Sequence, residues 1–427
     1  MDDAIYLDNN ATTRLDPVVA ETMHQVALFS PANPASQHQA GRQARQFLER
    51  SRESLARHLG CRTEGMQADQ ILFTSGGTEA NNLAIFGLSS KNVRFELQSN
   101  RLPYLSGLTI VSSIEHPSVL GASESMATRG ARVEICPVSS NGRLNLSEFS
   151  RLIDQHDMAT IHRDTKNQIS LVSVMLANNE TGILQPLSEV VGLCKPRGIL
   201  VHTDAVQVVG KHSLNFRELN VDAMTVTAHK VHGPTGIGAL VTRHGIAIEP
   251  QLFGGFQQLG MRPGTECVTL AVGFEKAVSL AVDSLSDRMA TMQEMRIFFE
   301  SKLLQSVVMP VIIGHSVDRL PHTTSIAYPG FDRQSLQMAL DFAGIACSTG
   351  SACASGSGQP SHVLKAMGLD SNLVNGAIRF SLSYKTTYEE LERAAAKINS
   401  VVETIQSKKR DFSLNATSND SCNPPKT

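Results

Sequence analysis

The feature that most constrains the fold of this 427-residue chain is the alternation of short apolar segments with amphipathic ones. Seven segments are rich in β-branched residues, and the stretches between them have helical spacing. Strands that are apolar along their whole length are typical of a parallel sheet covered by helices on both faces. The sequence therefore predicts an α/β fold with a mainly parallel seven-stranded sheet, built from residues 70–75, 108–113, 131–138, 169–177, 199–205, 223–228 and 236–243.

The pattern changes near residue 266, which indicates a second domain. A long amphipathic stretch, a late strand at 377–383 and a final helix are typical of a smaller α+β domain. The segments 94–107 and 154–168 read as surface insertions. We predict a large domain at 15–265, a smaller C-terminal domain that also takes in the N-terminus at 1–14 and 266–406, and a disordered polar tail at 407–427.

Composition excludes several classes of function. A net charge of −2 gives no electrostatic basis for binding nucleic acid or an anionic membrane. The chain has no apolar run of about 18 residues, and its acidic start lacks the apolar core of a signal peptide. The seven cysteines are scattered and form no CxxC pair, so we expect neither a disulfide framework nor a metal site. A cytoplasmic location is the corresponding expectation.

The segment "TSGGTEANN" (74–82) is a candidate phosphate site. A strand runs into a Gly-Gly turn, and a helix is predicted to begin near Thr78. The free N–H groups of such a turn, the helix dipole and the hydroxyls of Ser75 and Thr78 suit a phosphate. The segment is neither a Walker A loop nor a dinucleotide fingerprint, so a nucleotide is not implied. An ordinary strand-to-helix turn remains the alternative.

Two further strand ends carry polar residues. In "VHTDAVQ", Asp204 can pair with a protonated ring nitrogen and Gln207 can donate to a neighbouring ring oxygen, although Asp204 can equally cap a helix. In "TVTAHKVHGP", Lys230 stands where a Schiff-base amine would lie, with a solvated surface charge as the alternative.

His116 follows the predicted strand at 108–113 in the segment "SIEHPSV". An imidazole at this place can stack on a flat cofactor ring and move protons near neutral pH, or can be a structural histidine. Judged singly, each of these residues has an ordinary structural explanation. As an ordered set at successive strand ends, the phosphate cradle, His116, Asp204 and Lys230 describe a pyridoxal phosphate site.

The sequence resembles a known family, the cysteine desulfurases of aminotransferase class V, and within it the NifS/IscS-like group. The resemblance covers residues 4–400 and implies a pyridoxal 5′-phosphate-dependent transferase of fold type I that works as a homodimer. It is carried by "YLDNNATT", "NPASQH", "TSGGTEANNLAI", "EHPSV", "NNETG", "HTDAVQ", "AHKVHGP", "RPGTE", "GSACASG", "PSHVLKAMG" and "IRFSL".

The resemblance also implies a role for each matching residue. Lys230 would hold the cofactor covalently, Asp204 its ring nitrogen and Gln207 its phenolic oxygen, with His116 stacked on the ring as a proton relay. The phosphate would be held by Gly77, Thr78, Thr227, His229 and, from the partner subunit, Thr265. The residues that would bind the substrate are Asn179, which also lies beside the cofactor, Arg379 as a carboxylate clamp, and Asn33.

The resemblance implies that L-cysteine is converted to L-alanine while its sulfur passes to Cys353 as a persulfide. An iron–sulfur scaffold or a thiolation protein would then accept the sulfur. Cys353 lies in "ACSTGSACASGSG" (346–358), a stretch of small residues in which Cys347 is expected to pack as an apolar residue. The alternatives are a selenocysteine lyase, another class-V lyase or transaminase, and a non-catalytic partner protein on the same scaffold.

Overall fold

The computed structural model describes residues 4–29, 32–89, 107–161, 168–350 and 359–419. Its strands in these ranges are β1 (Ile5–Tyr6), β2 (Gln70–Thr74), β3 (Leu108–Ser112), β4 (Arg132–Cys136), β5 (Ile169–Ser173), β6 (Leu200–Asp204), β7 (Ala223–Thr227), β8 (Gly238–Thr242), β9 (Val311–Ile313), β10 (Thr323–Ala327), β11 (Ile345–Ala346) and β12 (Ala377–Ser381). Its helices are α1 (Pro17–Phe29), α2 (Gln39–His58), α3 (Gly77–Ser89), α4 (Pro117–Thr128), α5 (Leu146–Ile161), α6 (Leu187–Cys194), α7 (Phe216–Leu219), α8 (Val268–Asp283), α9 (Leu285–Leu303), α10 (Arg333–Phe342), α11 (His362–Ala366), α12 (Ser371–Asn375) and α13 (Tyr388–Asn419).

The predicted seven-stranded sheet is confirmed. Its order is β2-β8-β7-β6-β5-β3-β4, and each predicted segment contains one of these strands. Strand β8 runs antiparallel to both β2 and β7, while the other neighbouring pairs are parallel. The fold is therefore α/β with a mainly parallel sheet, as the continuous apolar strands led us to expect.

Helices cover both faces of this sheet. Alternate residues of β2 enter different clusters, Leu72 with α3 and α4, and Ile71 and Phe73 with α2 and α8. This is the period-two alternation of a strand that is buried on both sides. With both faces covered, the carboxyl ends of the parallel strands remain the place where polar residues converge.

A separate apolar cluster joins the N-terminus to the last third of the chain. Strand β1 pairs with β11, and β9, β10 and β12 form an antiparallel sheet. Ile5 packs in one cluster with aromatic side chains such as Phe299 and Phe380. The predicted boundary at residue 266 assigns α8 to the smaller domain, whereas α8 packs in the cluster of the large sheet, because its apolar face meets α1 and α2. The division into two domains stays a prediction.

Helices extend into the predicted polar tail and into one of the predicted surface insertions. Helix α13 continues to Asn419, into the stretch at 407–427 for which we predicted disorder. Adding residues to a helix whose earlier turns are packed costs little, even where the added residues are polar. Helix α5 likewise includes the first part of the presumed insertion at 154–168. Among the residues described, no helix combines the length and the apolar character that a membrane crossing requires.

Candidate active site

A cavity of about 290 Å³ lies at the carboxyl ends of β6 and β7, beside the first turns of α3 and α4. Most of the residues to which the sequence analysis assigned a role meet there. The cavity is lined by Gly77, Thr78, His116, Asn179, Asp204, Gln207, Thr227, His229, Lys230 and Arg379. Their roles stay predictions, but the fold brings these ten residues to one place.

The start of α3 forms one wall of the cavity. Glu79 in the first turn accepts a hydrogen bond from the N–H of Ser75 (2.7 Å), and its negative charge complements the helix dipole. At Gly77 a Cβ atom would lie 3.1 Å from Cγ2 of Val206, so a larger residue would crowd this turn. The first turn of α3 thus presents backbone N–H groups and the hydroxyl of Thr78 beside the cavity.

The end of β6 holds Asp204 in a fixed orientation. Its Oδ1 accepts from the N–H of Val206 (2.9 Å) and its Oδ2 from Nδ2 of Asn81 (2.7 Å). The first contact lies within a turn rather than at the start of a helix, so Asp204 does not cap a helix, and its side chain lines the cavity. Gln207 donates from Nε2 to the carbonyl oxygen of Asn10 (3.1 Å), while its Oε1 has no hydrogen-bond partner among the described residues.

The end of β7 passes into one turn of 3-10 helix, Ala228–Lys230. Nζ of Lys230 donates to the carbonyl oxygens of Asn10 (2.5 Å) and Ala11 (2.6 Å). Burial, together with the charges of Lys230 and Lys211, lowers the pKa of His229 to about 4, so its imidazole is neutral at physiological pH. A neutral imidazole can donate a hydrogen bond to an anion without adding a buried charge.

The N-terminal segment completes the cavity, a role that the sequence analysis missed. Asn10 donates from Nδ2 to the carbonyl oxygen of Asn179 (3.1 Å) and to Oγ1 of Thr323 (2.9 Å), and its Oδ1 lies 2.7 Å from Nε2 of His322. The motif "YLDNNATT" marked the segment as part of the resemblance. Nothing in its local pattern indicated that Asn10 would contact residues more than 160 positions away.

Arg379 enters the cavity from β12. Its Nη1 donates to the carbonyl oxygen of Asn179 (2.9 Å), and its Nη2 pairs with Oδ1 of Asp8 (2.6 Å). The Nε atom of Arg379 and Oδ1 of Asn179 have no hydrogen-bond partner among the described residues. A buried guanidinium with unused hydrogen-bonding capacity is suited to a carboxylate ligand.

Two of the predicted residues do not line this cavity, and a third lies outside the described part of the chain. Asn33 is exposed, and its Oδ1 accepts from the N–H of Ala35 (2.8 Å) in a local turn. Thr265 is also exposed and is not among the residues that line the cavity of its own chain. Cys353 lies outside the described residues. Cys347, by contrast, packs in the smaller apolar cluster as expected, and burial raises the pKa of its thiol to about 12.

The residues around the cavity fit pyridoxal phosphate. Four buried polar atoms among them have no hydrogen-bond partner in the described part of the chain, namely Asn81 Oδ1, Asn179 Oδ1, Gln207 Oε1 and Arg379 Nε. Buried polar atoms without a hydrogen-bond partner lower the stability of the folded protein, and a cluster of such atoms around one cavity is typical of a ligand site. The set also offers a helix N-terminus for a phosphate, a carboxylate for a protonated ring nitrogen and a lysine amine for an aldehyde.

The class of protein follows from comparison with known families. The model of the aminotransferase class-V family matches residues 5–394, so the chain belongs to that family.

Relatives within the family agree with the sequence motifs. A cysteine desulfurase of Bradyrhizobium diazoefficiens is 37% identical over 407 residues, which are 95% of this chain and 96% of the relative. The cysteine desulfurase NifS of Azotobacter vinelandii is 35% identical over 402 residues, 94% and 93% of the two chains. The X-ray structure of a NifS-like protein from Rickettsia africae superposes with a TM-score of 0.81 at 30% identity, over 94% of this chain and 99% of that one. The resemblance to the NifS/IscS-like group is thereby confirmed.

Proposed function

We propose that this protein is a pyridoxal 5′-phosphate-dependent cysteine desulfurase, which converts L-cysteine to L-alanine and retains the sulfur as a persulfide on Cys353. The observation that carries the proposal is the convergence of Lys230, Asp204, His116 and Arg379 on one cavity. The names of the relatives at 35–37% identity support the same activity.

Different residues around the cavity would bind different parts of the cofactor. Lys230 would bind its aldehyde carbon, Asp204 its ring nitrogen and Gln207 its phenolic oxygen. The phosphate would lie against Gly77, Thr78, Thr227 and His229. When bound, pyridoxal phosphate withdraws electrons from the substrate α-carbon, which makes α-proton removal and cleavage of the carbon–sulfur bond feasible.

The chain's own residues would then bind substrate and move protons. Arg379 would hold the substrate carboxylate, with Asn179 beside it, and the amine of Lys230 would take the α-proton once the substrate has displaced it. The thiolate of Cys353 would attack the substrate sulfur. A sulfur–sulfur bond forms, the carbon–sulfur bond breaks, and its electron pair goes to the carbon skeleton, which gains a proton to become alanine. L-cysteine and the Cys353 thiol thus give L-alanine and a Cys353 persulfide, with no other oxidant.

We propose that the protein works as a homodimer in which Thr265 completes the phosphate site of the partner. Thr265 is exposed, and the segment before it carries the exposed apolar side chains Phe253, Phe256 and Leu259. An exposed apolar segment of this kind is typical of a protein interface.

A reducing, cytoplasmic location is part of the proposal, supported by the five described cysteines, which are all free thiols. The sulfur acceptor would be an iron–sulfur scaffold or a thiolation protein.

The role of Cys353 is the sharpest test of this function. We expect the wild-type protein to form alanine and protein-bound persulfide from L-cysteine, and Cys353→Ala to lose the persulfide and at least about 10²-fold of the alanine rate. Persulfide can be read by alkylation and mass spectrometry, and alanine by amino-acid analysis. Cys267→Ala, which removes an exposed thiol elsewhere in the chain, is the matched control.

Three outcomes would contradict the proposal. Sulfide release from L-cysteine by Cys353→Ala in the presence of an external thiol would mean that Cys353 is not the acceptor. Alanine formation by the wild-type protein from L-selenocysteine but not from L-cysteine would favour the selenocysteine lyase. Amino transfer to a keto acid without release of sulfur would indicate a transaminase.

Arg379→Lys should weaken substrate binding more than it slows turnover. A lysine keeps the charge but loses the planar fork, so one or two charge-assisted hydrogen bonds to the carboxylate disappear. At about 1.5–3 kcal/mol for such a bond, we expect the KM for L-cysteine to rise by about 10- to 100-fold, with a smaller change in kcat. Arg319→Lys is the control, because Arg319 is another buried arginine, paired with Glu300 away from the cavity. An unchanged KM would show that Arg379 does not bind the carboxylate.

A further inference from the structure

A chain of hydrogen bonds links Asp204 to His116 through two buried residues with no assigned role. Nδ2 of Asn81 lies 2.7 Å from Oδ2 of Asp204 and 2.8 Å from Oγ of Ser118. Oγ of Ser118 lies 2.7 Å from Nδ1 of His116, and the backbone N–H of Ser118 donates to the same Nδ1 (3.1 Å). Asn81 is only 1% exposed and Ser118 only 9%.

The direction of each hydrogen bond follows from the chemistry of its partners. A carboxylate only accepts, so the amide nitrogen of Asn81 must face Asp204, and its second hydrogen then points to Oγ of Ser118. A backbone N–H only donates, so Nδ1 of His116 must carry a lone pair to accept from Ser118. The hydroxyl of Ser118 receives the hydrogen of Asn81 and therefore directs its own hydrogen to Nδ1.

Local structure holds His116 in this arrangement. His116 is the N-cap of α4, Pro117 occupies the first helical position, and the N–H that Nδ1 accepts belongs to the unpaired donors of the first turn. The charged and titratable groups that act on the ring are Asp204, Lys230 and His362. Burial, opposed by Asp204 and aided by Lys230 and His362, lowers the pKa of His116 below its usual value.

We propose that Asn81 and Ser118 are positioning residues that fix His116 as the neutral tautomer with its proton on Nε2. In the reaction proposed above, the Nε2–H group of His116 would then serve as a hydrogen-bond donor, because its Nδ1 is already engaged by two donors. Asn81 fixes the direction of the hydrogen bonds that run between Asp204 and His116. It prevents the Ser118 hydroxyl from turning round to accept a proton from Nδ1, and it binds Asp204 at the same time. The role of His116 in the reaction rests on the proposed function, whereas the assignment of its tautomer does not.

The tautomer can be read directly by nitrogen NMR of the full-length protein labelled with ¹⁵N-histidine, with and without cofactor, using His116→Gln to assign the signal. In the wild type we expect an unprotonated Nδ1 and a protonated Nε2 at about pH 7.5, above the ordinary histidine pKa of about 6.5. Ser118→Ala removes one donor to the neutral ring. We expect it to raise the pKa of His116 by about half to one pH unit and to introduce the other tautomer, and Asn81→Ala should do the same.

Matched variants separate this role from a general effect on folding. Ser123→Ala removes a buried hydroxyl from the same helix and should leave the His116 signals unchanged, while Ser118→Thr retains a hydroxyl and should preserve the wild-type tautomer. A protonated Nδ1 in the wild type would overturn the inference, as would Ser118→Ala with the tautomer and pKa of His116 unchanged. If the enzyme formed no alanine but showed the expected tautomer, the proposed function would fail and the positioning role would stand.

Discussion

Lys230→Ala should lower the rate of alanine formation from L-cysteine by about 10³-fold or more and give a colourless protein. The substitution removes both the amine that would hold the cofactor and the base that would take the α-proton, and general base catalysis alone contributes about 10²–10⁴-fold. Lys230 contacts the N-terminal segment. Its Nζ donates to the carbonyl oxygens of Asn10 and Ala11. Absorbance near the visible band of the bound cofactor and the alanine rate are the two measurements.

Lys230→Arg is the matched variant because it retains a positive charge at this position. An arginine cannot act as a neutral amine at physiological pH, so we expect the same loss of rate as in Lys230→Ala. Near-normal activity of Lys230→Arg would show that the charge, and not the amine, is what the site requires. A yellow, active Lys230→Ala would refute the cofactor assignment altogether.

Lys211→Met should stabilise the protein near neutral pH, in contrast to most substitutions of buried residues. Lys211 is 6% exposed, and its Nζ has no hydrogen-bond partner among the described residues. It lies at a cavity of about 20 Å³ together with Lys230, His232, Arg288 and Tyr384. Burial first, and then the charges of Lys230 and Arg379, lower the pKa of Lys211 to about 7.

The pH dependence follows from the direction of this shift. An unfolded chain keeps a lysine pKa of about 10.4, so between about pH 7 and about pH 10 the unfolded state binds a proton that the folded state does not. The free energy of unfolding of the wild type should therefore rise with pH across this window. Below the window, the destabilisation caused by burying the charged amine of Lys211 is fully present. We expect Lys211→Met to increase the free energy of unfolding by on the order of 3 kcal/mol at pH 7 and by little near pH 10.

Urea unfolding of both proteins at several pH values tests this expectation. Lys408→Met removes an exposed lysine of α13 and should change stability by less than about 0.5 kcal/mol at every pH. Destabilisation by Lys211→Met with no change in the pH slope would mean that a bound anion or another group satisfies the buried amine.

The sheet and most of the cavity could be predicted from the sequence because both depend on short segments. Strand β6 was predicted from a segment that begins with Ile-Leu-Val and carries Asp204 near its carboxyl end, and the parallel-sheet rule then places such end residues together. The same reasoning placed His116 and Lys230 at the carboxyl ends of other strands of the sheet. These assignments needed only periodicity and the order of the segments.

The rest of the site depends on contacts that no local pattern records. Asn81 reaches Asp204 because α3 packs across β6 and its neighbours, and the segment of Asn10 is held in place where β1 pairs with β11. Asn33 was assigned from the resemblance alone, and in the structure its side chain is used by a local turn. Helix α13 continues into the stretch for which we predicted disorder, because polar composition does not record how far a packed helix continues.

The position of Asn10 has a consequence for how the protein is made. This residue is synthesised 371 positions before Ser381, yet its backbone N–H donates to Oγ of Ser381 and its carbonyl oxygen accepts from Lys230. The cavity can therefore close only after β12 has been synthesised. Nascent chains that end before β12 would lack Arg379 and the contact between Asn10 and Ser381. Under the proposed function, the cofactor would be captured late in biogenesis, once the segment around Asn10 and β12 have come together.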